Sequence, residues 1–401
     1  MHVKITDLKT YVVDPHGPGG RNWIFVKLVT DSGIEGIGEA FDIPFSPHGV
    51  VKLIETIGDR FIINSDPFKI ESMWRTIYAS GYDQHPDVTK MGIISAFEIA
   101  CWDIIGKAVG QPVYNLLGGL YHDRLRTYTY MYPAADKNAR DGYVQNDPQA
   151  AGERAAYYLK MGFTAIKFDP VGPGTARAPL QLTVGNLART EAVIRGVREA
   201  VGDRCDIIIG THGQMTTSSA IRLAKRLEKF DPLWFEEPVP PENRDEMARV
   251  ADHTSIPVAA GERLSTKYEF RELLDRHAAS VLQLSLGRVG GILEAKKIAG
   301  MAEAYYAQIA PHLYAGPVEA MANVHIAACS PNFLILEGLE TWGGFYNEIL
   351  KEPIQWERGY IIPPTKPGLG IELDEEVMKK YPAKGDNPSI DVSYESDVGL
   401  F

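Results

Sequence analysis

The sequence predicts an α/β protein in which a parallel (β/α) barrel follows a smaller α+β unit. Short apolar runs that end in polar residues alternate with helical patterns, and three of these runs end at Gly210, Glu236 and Glu262, spaced 26 residues apart. That interval fits one strand, one helix and two short loops. Alternation at this period is typical of a parallel sheet closed into a barrel, whose functional residues lie at the carboxyl ends of the strands.

The part of the chain before the barrel is predicted to begin with a small sheet. Alternating apolar and polar residues indicate three strands joined as a meander, at 3–13, 23–30 and 34–40. The residues at 14–23 and 41–49 are rich in Gly and Pro, so we expect loops there.

Helices follow this sheet, and the barrel follows the helices. Residues 50–110 have a helical pattern, which is clearest at 92–108. The barrel strands begin near Arg126, and the polar stretch 136–148 is predicted to be a long loop after the first of them. Residues 359–373 indicate a final hairpin-like stretch.

Length, charge and cysteine usage exclude several classes of protein. The 401 residues suffice for a barrel of about 250 residues and a second, smaller unit. A net charge of −11 offers no basic surface for nucleic acid or anionic membranes, and the N-terminus has a strand pattern, not that of a signal peptide. The thiols of Cys101, Cys205 and Cys329 have no metal-like spacing and are predicted to be buried and free. We therefore expect a cytoplasmic protein with no nucleic-acid or membrane partner.

Polar residues stand at the ends of the predicted barrel strands. Glu236 and Glu262 end neighbouring strands, so their carboxylates should point at one centre and repel each other unless a cation joins them. We expect a divalent ion that prefers oxygen ligands, in the first place Mg²⁺, to bind both carboxylates. The alternative is that both carboxylates are solvated and bind no ion. The full set at strand ends is Lys167, Asp169, His212, Glu236, Glu262, His312 and Glu337.

The basic members of this set suit proton transfer and charge stabilisation. The imidazoles of His212 and His312 titrate near neutral pH, as proton transfer requires, and structural contacts are the alternative. Lys167 and Asp169 are two residues apart on one strand and so point to the same side. Lys167 would stabilise negative charge on a carboxylate substrate, and a buried Lys–Asp ion pair is the alternative.

Motifs along nearly the whole chain resemble the mandelate racemase subgroup of the enolase superfamily. In order, they are G-I-G-E-A, A-C-W-D-I-I-G-K, L-L-G-G, W-F-E-E-P, A-A-G-E-R, V-G-G-I and K-P-G-L-G. The run A-P-H-L-Y-A-G-P-V with S-P-N-F-L-I-L-E is most similar to the galactonate dehydratase branch, and K-F-D-P-V-G-P resembles gluconate dehydratases.

This resemblance implies a domain organisation and an assembly. It implies an N-terminal α+β capping domain at 1–125, a modified (β/α)7β TIM-type barrel at 126–370, and a C-terminal segment at 371–401 that returns to the capping domain. It also implies a homo-oligomer that acts on a small-molecule acid sugar.

The resemblance further implies Mg²⁺-assisted abstraction of a proton α to a carboxylate, followed in dehydratases by loss of a β-hydroxyl. By position, Glu236 and Glu262 match the second and third metal ligands. His312 matches the general base and His212 the general acid. Glu337 matches the group that hydrogen-bonds the substrate carboxylate.

Other positions match the substrate-binding pattern of the family. Lys167 and Asp169 form the K-x-D pattern of some dehydratases, and Arg263 follows the third metal ligand, as in the dehydratase motif G-E-R. We also expect Ser285 and Trp342 to contact substrate.

Two positions depart from the family pattern. Gly210 stands where the family has its first acidic ligand, so we expect weak Mg²⁺ binding, with solvent in the place of the missing side chain. The remaining ligands would then come from water, substrate or His212. Ser285 stands where the family has the Asp that pairs with the base, which removes the group that orients His312.

The two N-terminal loops, 14–23 and 41–49, are predicted to close over the barrel mouth and to bring His16, Arg21 or His48 near the ligand. The leading interpretation is an acid-sugar dehydratase with an altered metal site. The alternatives are a sugar-acid isomerase or epimerase on the same scaffold and a catalytically inactive acid-sugar binding protein.

Overall fold

In the computed structural model, residues 3–15, 22–41, 46–133, 143–171 and 179–383 are described. The chain begins with a three-stranded antiparallel sheet in the order β1-β2-β3. Its strands are β1 (Ile5–Val13), β2 (Trp23–Thr30) and β3 (Glu35–Ala40). The predicted meander is therefore present.

Helices cover one face of this sheet. They are α1 (Pro47–Ile57), α2 (Ile70–Tyr78), α3 (Val88–Val109) and α4 (Val113–Leu116), with a π-helical turn at Gly58–Ile62 and a 3-10 turn at Ser80–Tyr82. Helix α1 begins inside the stretch 41–49, which we predicted to be a loop, because Pro47 suits the first turn of a helix. Helix α3 lies so close to β3 that a Cβ on Gly38 would be 1.9 Å from the carbonyl oxygen of Ala96. The G-I-G sequence thus permits sheet and helix to pack.

Eight parallel strands of the described residues form the barrel. Strands β4 to β10 pair with their neighbours in chain order, and β11 pairs with β4. Hydrogen bonds between Ile309 and residues Asn332 and Leu334 close the ring. The strands are β4 (Leu125–Tyr130), β5 (Ala165–Phe168), β6 (Asp206–Ile209), β7 (Trp234–Glu236), β8 (Val258–Ala260), β9 (Val281–Leu282), β10 (Gln308–Ile309) and β11 (Leu336–Gly338).

Helices connect these strands on the outside of the barrel, giving the (β/α)7β architecture. They are α5 (Tyr143–Asn146), α6 (Pro148–Met161), α7 (Val184–Val201), α8 (Thr217–Leu227), α9 (Arg244–Ala251), α10 (Thr266–Asp275), α11 (Leu286–Val289), α12 (Ile292–Ala304) and α13 (Pro317–Ala328). The α/β class and the barrel predicted from the sequence are both confirmed.

A separate apolar cluster fills the barrel interior. It includes Tyr128, Ala165, Ile208 and Trp234, one from each of the first four strands, all fully buried. The interior is therefore packed, and polar chemistry is confined to the strand ends above this layer. Cys101, Cys205 and Cys329 are buried and free, as predicted.

The C-terminal part of the described chain runs back to the first sheet. It contains α14 (Phe345–Glu348), β12 (Trp356–Glu357), β13 (Tyr360–Ile361) and α15 (Glu375–Met378). Strands β12 and β13 form a hairpin earlier than the predicted stretch 359–373. The amide of Asp14 donates to the carbonyl of Tyr381 at 2.9 Å, and the amide of Ala383 donates to that of Val12 at 3.1 Å.

Glutamates of the first domain cap two barrel helices whose own N-cap residues are glycines. Glu39 in β3 accepts from the backbone amides of Gly316, Val318 and Glu319 at 2.5, 3.2 and 3.0 Å, at the start of α13. Glu98 in α3 accepts from Ile292 and Leu293 at 2.6 and 2.8 Å, at the start of α12. These buried contacts hold the first domain over the carboxyl end of the barrel. A search of the described helices for one long and apolar enough to cross a membrane found none.

Candidate active site

The structure brings the predicted strand-end residues together at one end of the barrel. Lys167 lies in β5, Glu236 ends β7 and Glu337 lies in β11, and His212 and His312 follow the strands β6 and β10. Because all these strands are parallel, their carboxyl ends share one rim.

Lys167 is the cation at the centre of this group. Its Nζ lies 2.7 Å from Oε1 of Glu236 and 3.5 Å from Oε1 of Glu337, and the side chain is 2% exposed. Burial alone would lower the pKa of Lys167, but the negative charges of Glu236 and Glu337 outweigh it and raise that pKa well above its usual value. Lys167 is therefore a permanent positive charge in the site.

The two glutamates predicted to bind metal have different surroundings. Oε2 of Glu236 accepts from Nε2 of Gln283 at 2.6 Å and from Nε1 of Trp234 at 3.2 Å, and burial raises its pKa. Oε2 of Glu262 is buried and accepts no hydrogen bond from the described residues. Burial would raise the pKa of Glu262, but the positive charges of His212 and Lys167 hold it below its usual value. The Glu262 carboxylate thus keeps free coordinating capacity.

Asp169 occupies the place where we expected solvent. A Cβ on Gly210 would lie 2.1 Å from Oδ1 of Asp169, so the carboxylate fills the space of the missing side chain. The expectation of solvent beside Gly210 is wrong, because a side chain from the adjacent strand reaches into the gap. Oδ2 of Asp169 lies 2.9 Å from Nδ1 of His212, and its charge raises the pKa of His212 to about 10.

His312 is the second imidazole of the site and is 6% exposed. Its Nε2 lies 3.7 Å from Oε2 of Glu262 and 3.9 Å from Oε2 of Glu337, and burial lowers its pKa to about 3. Nδ1 of His312 has no hydrogen-bond partner within the described chain. The side-chain amide of Asn323 donates to the His312 carbonyl at 2.9 Å. The imidazole of His312 is therefore neutral at physiological pH.

Ser285 is fully buried, and its hydroxyl donates to Oε1 of Glu319 at 2.7 Å. Arg263 forms two short contacts with Oε2 of Glu237, at 2.8 Å from Nε and 2.6 Å from Nη2. The contacts of Ser285 and Arg263 with substrate stay predictions. Oε2 of Glu337 accepts from the backbone amide of Leu313 at 2.9 Å.

The other predicted substrate-binding residues are spread over different environments. Trp342 is fully buried and packs edge-on against Tyr346, with ring centroids 5.4 Å apart. His48 is exposed on α1. His16 and Arg21 lie outside the described residues. Their proximity to a ligand stays a prediction, as does that of His48 and Trp342.

Several residues around the site were missed in the sequence. They are Glu237, Gln283, Arg288 and Glu319. Gln283 and Ser285 follow β9 and are two residues apart, so the alternation of an extended segment places both on one side and could have revealed Gln283. Nη1 of Arg288 donates to the Glu262 carbonyl at 2.5 Å, and its guanidinium lies over the ring of Phe41, 3.8 Å from the centroid. Phe41 thus brings the first domain to the rim of the barrel.

These residues fit a divalent cation. One ring nitrogen of His212 and one carboxylate oxygen each of Glu236 and Glu262 all lie within 4.8 Å of one another. The three carboxylates of Asp169, Glu236 and Glu262 outnumber the two positive charges of Lys167 and His212 beside them, and a divalent cation would reduce this excess.

Comparisons with known proteins agree with this geometry. Residues 12–118 match the N-terminal domain of mandelate racemase and muconate lactonizing enzyme, and residues 150–377 match the family described as enolase C-terminal domain-like. The D-xylonate dehydratase of Haloferax volcanii is 34% identical over 388 residues, which cover 96% of this chain and 90% of that protein. The D-galactonate dehydratase of Xanthomonas euvesicatoria pv. vesicatoria is 35% identical over 386 residues, 94% of either chain.

Solved structures give the same result. A candidate mandelate racemase/muconate lactonizing enzyme from Burkholderia SAR-1 is 57% identical, with a TM-score of 0.91 over 95% of this chain and 94% of that one. A mandelate racemase/muconate lactonizing enzyme from Sulfitobacter sp. is 46% identical, with a TM-score of 0.91 over 96% and 98% of the two chains. The chain therefore belongs to the mandelate racemase subgroup of the enolase superfamily, on its galactonate dehydratase-like branch.

Proposed function

We propose that this protein is an acid-sugar dehydratase, a carbon–oxygen lyase that removes water from a sugar acid with hydroxyl groups at C2 and C3. The observation that carries the proposal is the neutral imidazole of His312, held between the carboxylates of Glu262 and Glu337 at the rim of the barrel. The substrate class is supported by the names of the relatives, which act on D-xylonate and D-galactonate.

His312 is proposed as the base that takes the proton from C2, next to the substrate carboxylate. Its ring is unprotonated at neutral pH, because burial lowers its pKa to about 3, and its Nδ1 has no hydrogen-bond partner among the described residues. The electron pair of the C2–H bond becomes a C2–C3 double bond, and the C3–O bond breaks. The departing oxygen takes up a proton and leaves as water. The resulting enol then converts to the 2-keto-3-deoxy acid, so that one water is lost for each sugar acid consumed.

The proton at C2 is weakly acidic, so the substrate carboxylate must be stabilised as negative charge moves onto it. Lys167 supplies a buried positive charge that needs no reorganisation during the reaction. Burial raises the pKa of Glu337, and a substrate carboxylate beside it would raise that pKa further, so that Glu337 could take up a proton on substrate binding and donate a hydrogen bond to that carboxylate. A divalent cation held by Glu236 and Glu262 would add further positive charge at this point.

The leaving hydroxyl needs a proton, and two imidazoles are available for it. His312 carries a proton after the first step and can return it to the oxygen. His212 also carries one at neutral pH while it is paired with Asp169. A nitrogen that binds a cation cannot donate a proton, so the choice between them depends on whether His212 holds the cation.

A panel of aldonic acids tests the proposal. The purified protein is incubated with each acid and with Mg²⁺ or Mn²⁺, and 2-keto-3-deoxy acids are detected as their semicarbazones. His312→Asn should lower kcat by about 10²–10⁴-fold, the usual contribution of a general base. His253→Asn, which changes an exposed histidine after α9, should leave the rate unchanged. An epimerised acid as sole product, or ligand binding with no turnover, would overturn the proposal.

A further inference from the structure

We infer that His212 is the third protein ligand of the cation, that Asp169 positions it, and that this mixed nitrogen–oxygen site favours Mn²⁺ over Mg²⁺. The inference rests on the proposed function only in placing a divalent cation at Glu236 and Glu262. It assigns to His212 a role different from the acid that the family resemblance implies.

The first argument is the filling of the space beside Gly210. Glycine offers no ligand, and Oδ1 of Asp169 lies 2.1 Å from the position that a Cβ would take. No third carboxylate can therefore enter from β6 unless Asp169 moves away. Oδ2 of Asp169 lies 2.9 Å from Nδ1 of His212, and its Oδ1 is buried without a hydrogen-bond partner among the described residues, but the group of converging ligand atoms found there consists of His212, Glu236 and Glu262. The group that Asp169 presents to the site is thus the imidazole.

The second argument is the way in which the backbone delivers His212. The residue adopts a positive φ of 49°, which is uncommon outside glycine, and Gly213 follows with a φ of 71°. The Thr211 hydroxyl donates to the carbonyls of Glu236 and Glu237, both at 2.8 Å, and the Gly213 amide donates to that of Glu237 at 2.7 Å. The turn is therefore fastened to the end of β7, beside the Glu236 carboxylate.

The third argument is the arrangement of the coordinating atoms. His212, Glu236 and Glu262 each offer one atom, and these atoms lie within 4.8 Å of one another. Because Nδ1 is held by Asp169, its proton points at the carboxylate, and Nε2 offers its lone pair when a cation displaces the Nε2 proton. Carboxylates that hold a ligating histidine in this way fix its tautomer and increase its basicity. Asp169 therefore acts as a positioning residue.

This set of ligands has a consequence for the choice of metal. Mg²⁺ prefers oxygen ligands and retains several waters, whereas first-row transition ions accept imidazole readily. Mn²⁺ accepts both carboxylate and imidazole, so a site of one nitrogen and two carboxylates should bind Mn²⁺ more tightly, relative to Mg²⁺, than a site of carboxylates alone. The consequence for the reaction is that His212 cannot donate a proton through its ligating nitrogen, and His312 returns the proton to the leaving hydroxyl.

The test is spectroscopic and needs no substrate. Purified full-length protein is loaded with Mn²⁺ alone, and electron spin echo envelope modulation detects any directly bound nitrogen. The wild type should show nitrogen coupling, and His212→Gln should abolish it and lower Mn²⁺ affinity at least tenfold. Asp169→Asn should weaken Mn²⁺ binding by about 10–100-fold and alter the coupling. His312→Gln is the matched control and should preserve both the nitrogen coupling and the Mn²⁺ affinity.

A ligand swap makes the result specific. Gly210→Asp combined with Asp169→Ala empties the space beside Gly210, supplies a carboxylate there and removes the group that holds His212, so nitrogen coupling should disappear and the ratio of Mn²⁺ to Mg²⁺ affinity should fall. Bound Mn²⁺ without nitrogen coupling in the wild type, or unchanged Mn²⁺ affinity in His212→Gln, would overturn the inference. Nitrogen coupling without turnover of any aldonic acid would refute only the proposed function, and turnover without coupling would refute only this inference.

Discussion

The crowding between Gly210 and Asp169 makes a quantitative prediction for Gly210→Ala. The added Cβ would lie 2.1 Å from Oδ1 of Asp169, and contacts below about 3 Å are not tolerated, so the carboxylate must retreat by about 1 Å. Such a shift stretches the 2.9 Å contact between Asp169 and His212 beyond hydrogen-bonding distance.

The size of the effect follows from the bond that is lost. A hydrogen bond to a charged group contributes about 1.5–3 kcal/mol. The His212 side chain is 41% exposed, so solvent screens the pair and we take the lower end of that range. Since one pKa unit corresponds to about 1.4 kcal/mol, the pKa of His212 should fall by about one unit.

The assay is an NMR titration of ¹³C-labelled histidine in metal-free protein. Gly210→Ala should lower the pKa of His212 and leave the other histidine resonances in place. Gly300→Ala is the control, because a Cβ on this helical residue would meet no atom within 4 Å. An unchanged pKa of His212 in Gly210→Ala would refute the view that Asp169 fills the gap and holds the imidazole.

Three further predictions concern buried polar groups outside the metal-binding atoms. Glu39→Ala removes three hydrogen bonds at the start of α13 and should reduce the free energy of unfolding, measured by urea titration, by about 3 kcal/mol. The control is Glu55→Ala at an exposed residue, which should change the free energy of unfolding by less than about 0.5 kcal/mol. Burial lowers the pKa of His325 from 6.5 to about 4, so the unfolded chain binds this proton at a higher pH than the folded chain does. The free energy of unfolding should therefore fall by up to about 3 kcal/mol as the pH drops from 6.5 to 4, and His325→Asn should reduce this pH dependence. Ser285→Asp places a second carboxylate against Oε1 of Glu319, so it should lower the thermal midpoint and fail to increase activity, and a rise in kcat would contradict this account.

Much of the barrel was predictable, because its periodicity is local. The 26-residue spacing of strand ends fixed the positions of Glu236 and Glu262, and alternation along one strand placed Lys167 inside. These residues lie where parallel strands must end, so their convergence follows from topology alone.

The contacts that set the chemistry of the site were not predictable in this way. Asp169 fills the space beside Gly210 from a neighbouring strand, and this depends on side-chain direction, which a sequence pattern does not give. The Ser285 hydroxyl meets Glu319, 34 residues later. Glu39 caps a helix that begins 277 residues further along the chain, a pairing that no local motif signals.

The most direct test of the central claim, that this site removes the proton α to the carboxylate, is turnover of an aldonic acid that carries deuterium at C2. Abstraction by His312 predicts a primary isotope effect on kcat/KM and complete loss of the label, since C2 becomes a carbonyl carbon. In D₂O, unlabelled substrate should give a 2-keto-3-deoxy acid with one deuterium at C3. Product that forms with the C2 label transferred intact to C3, or without deuterium from D₂O, would contradict the account.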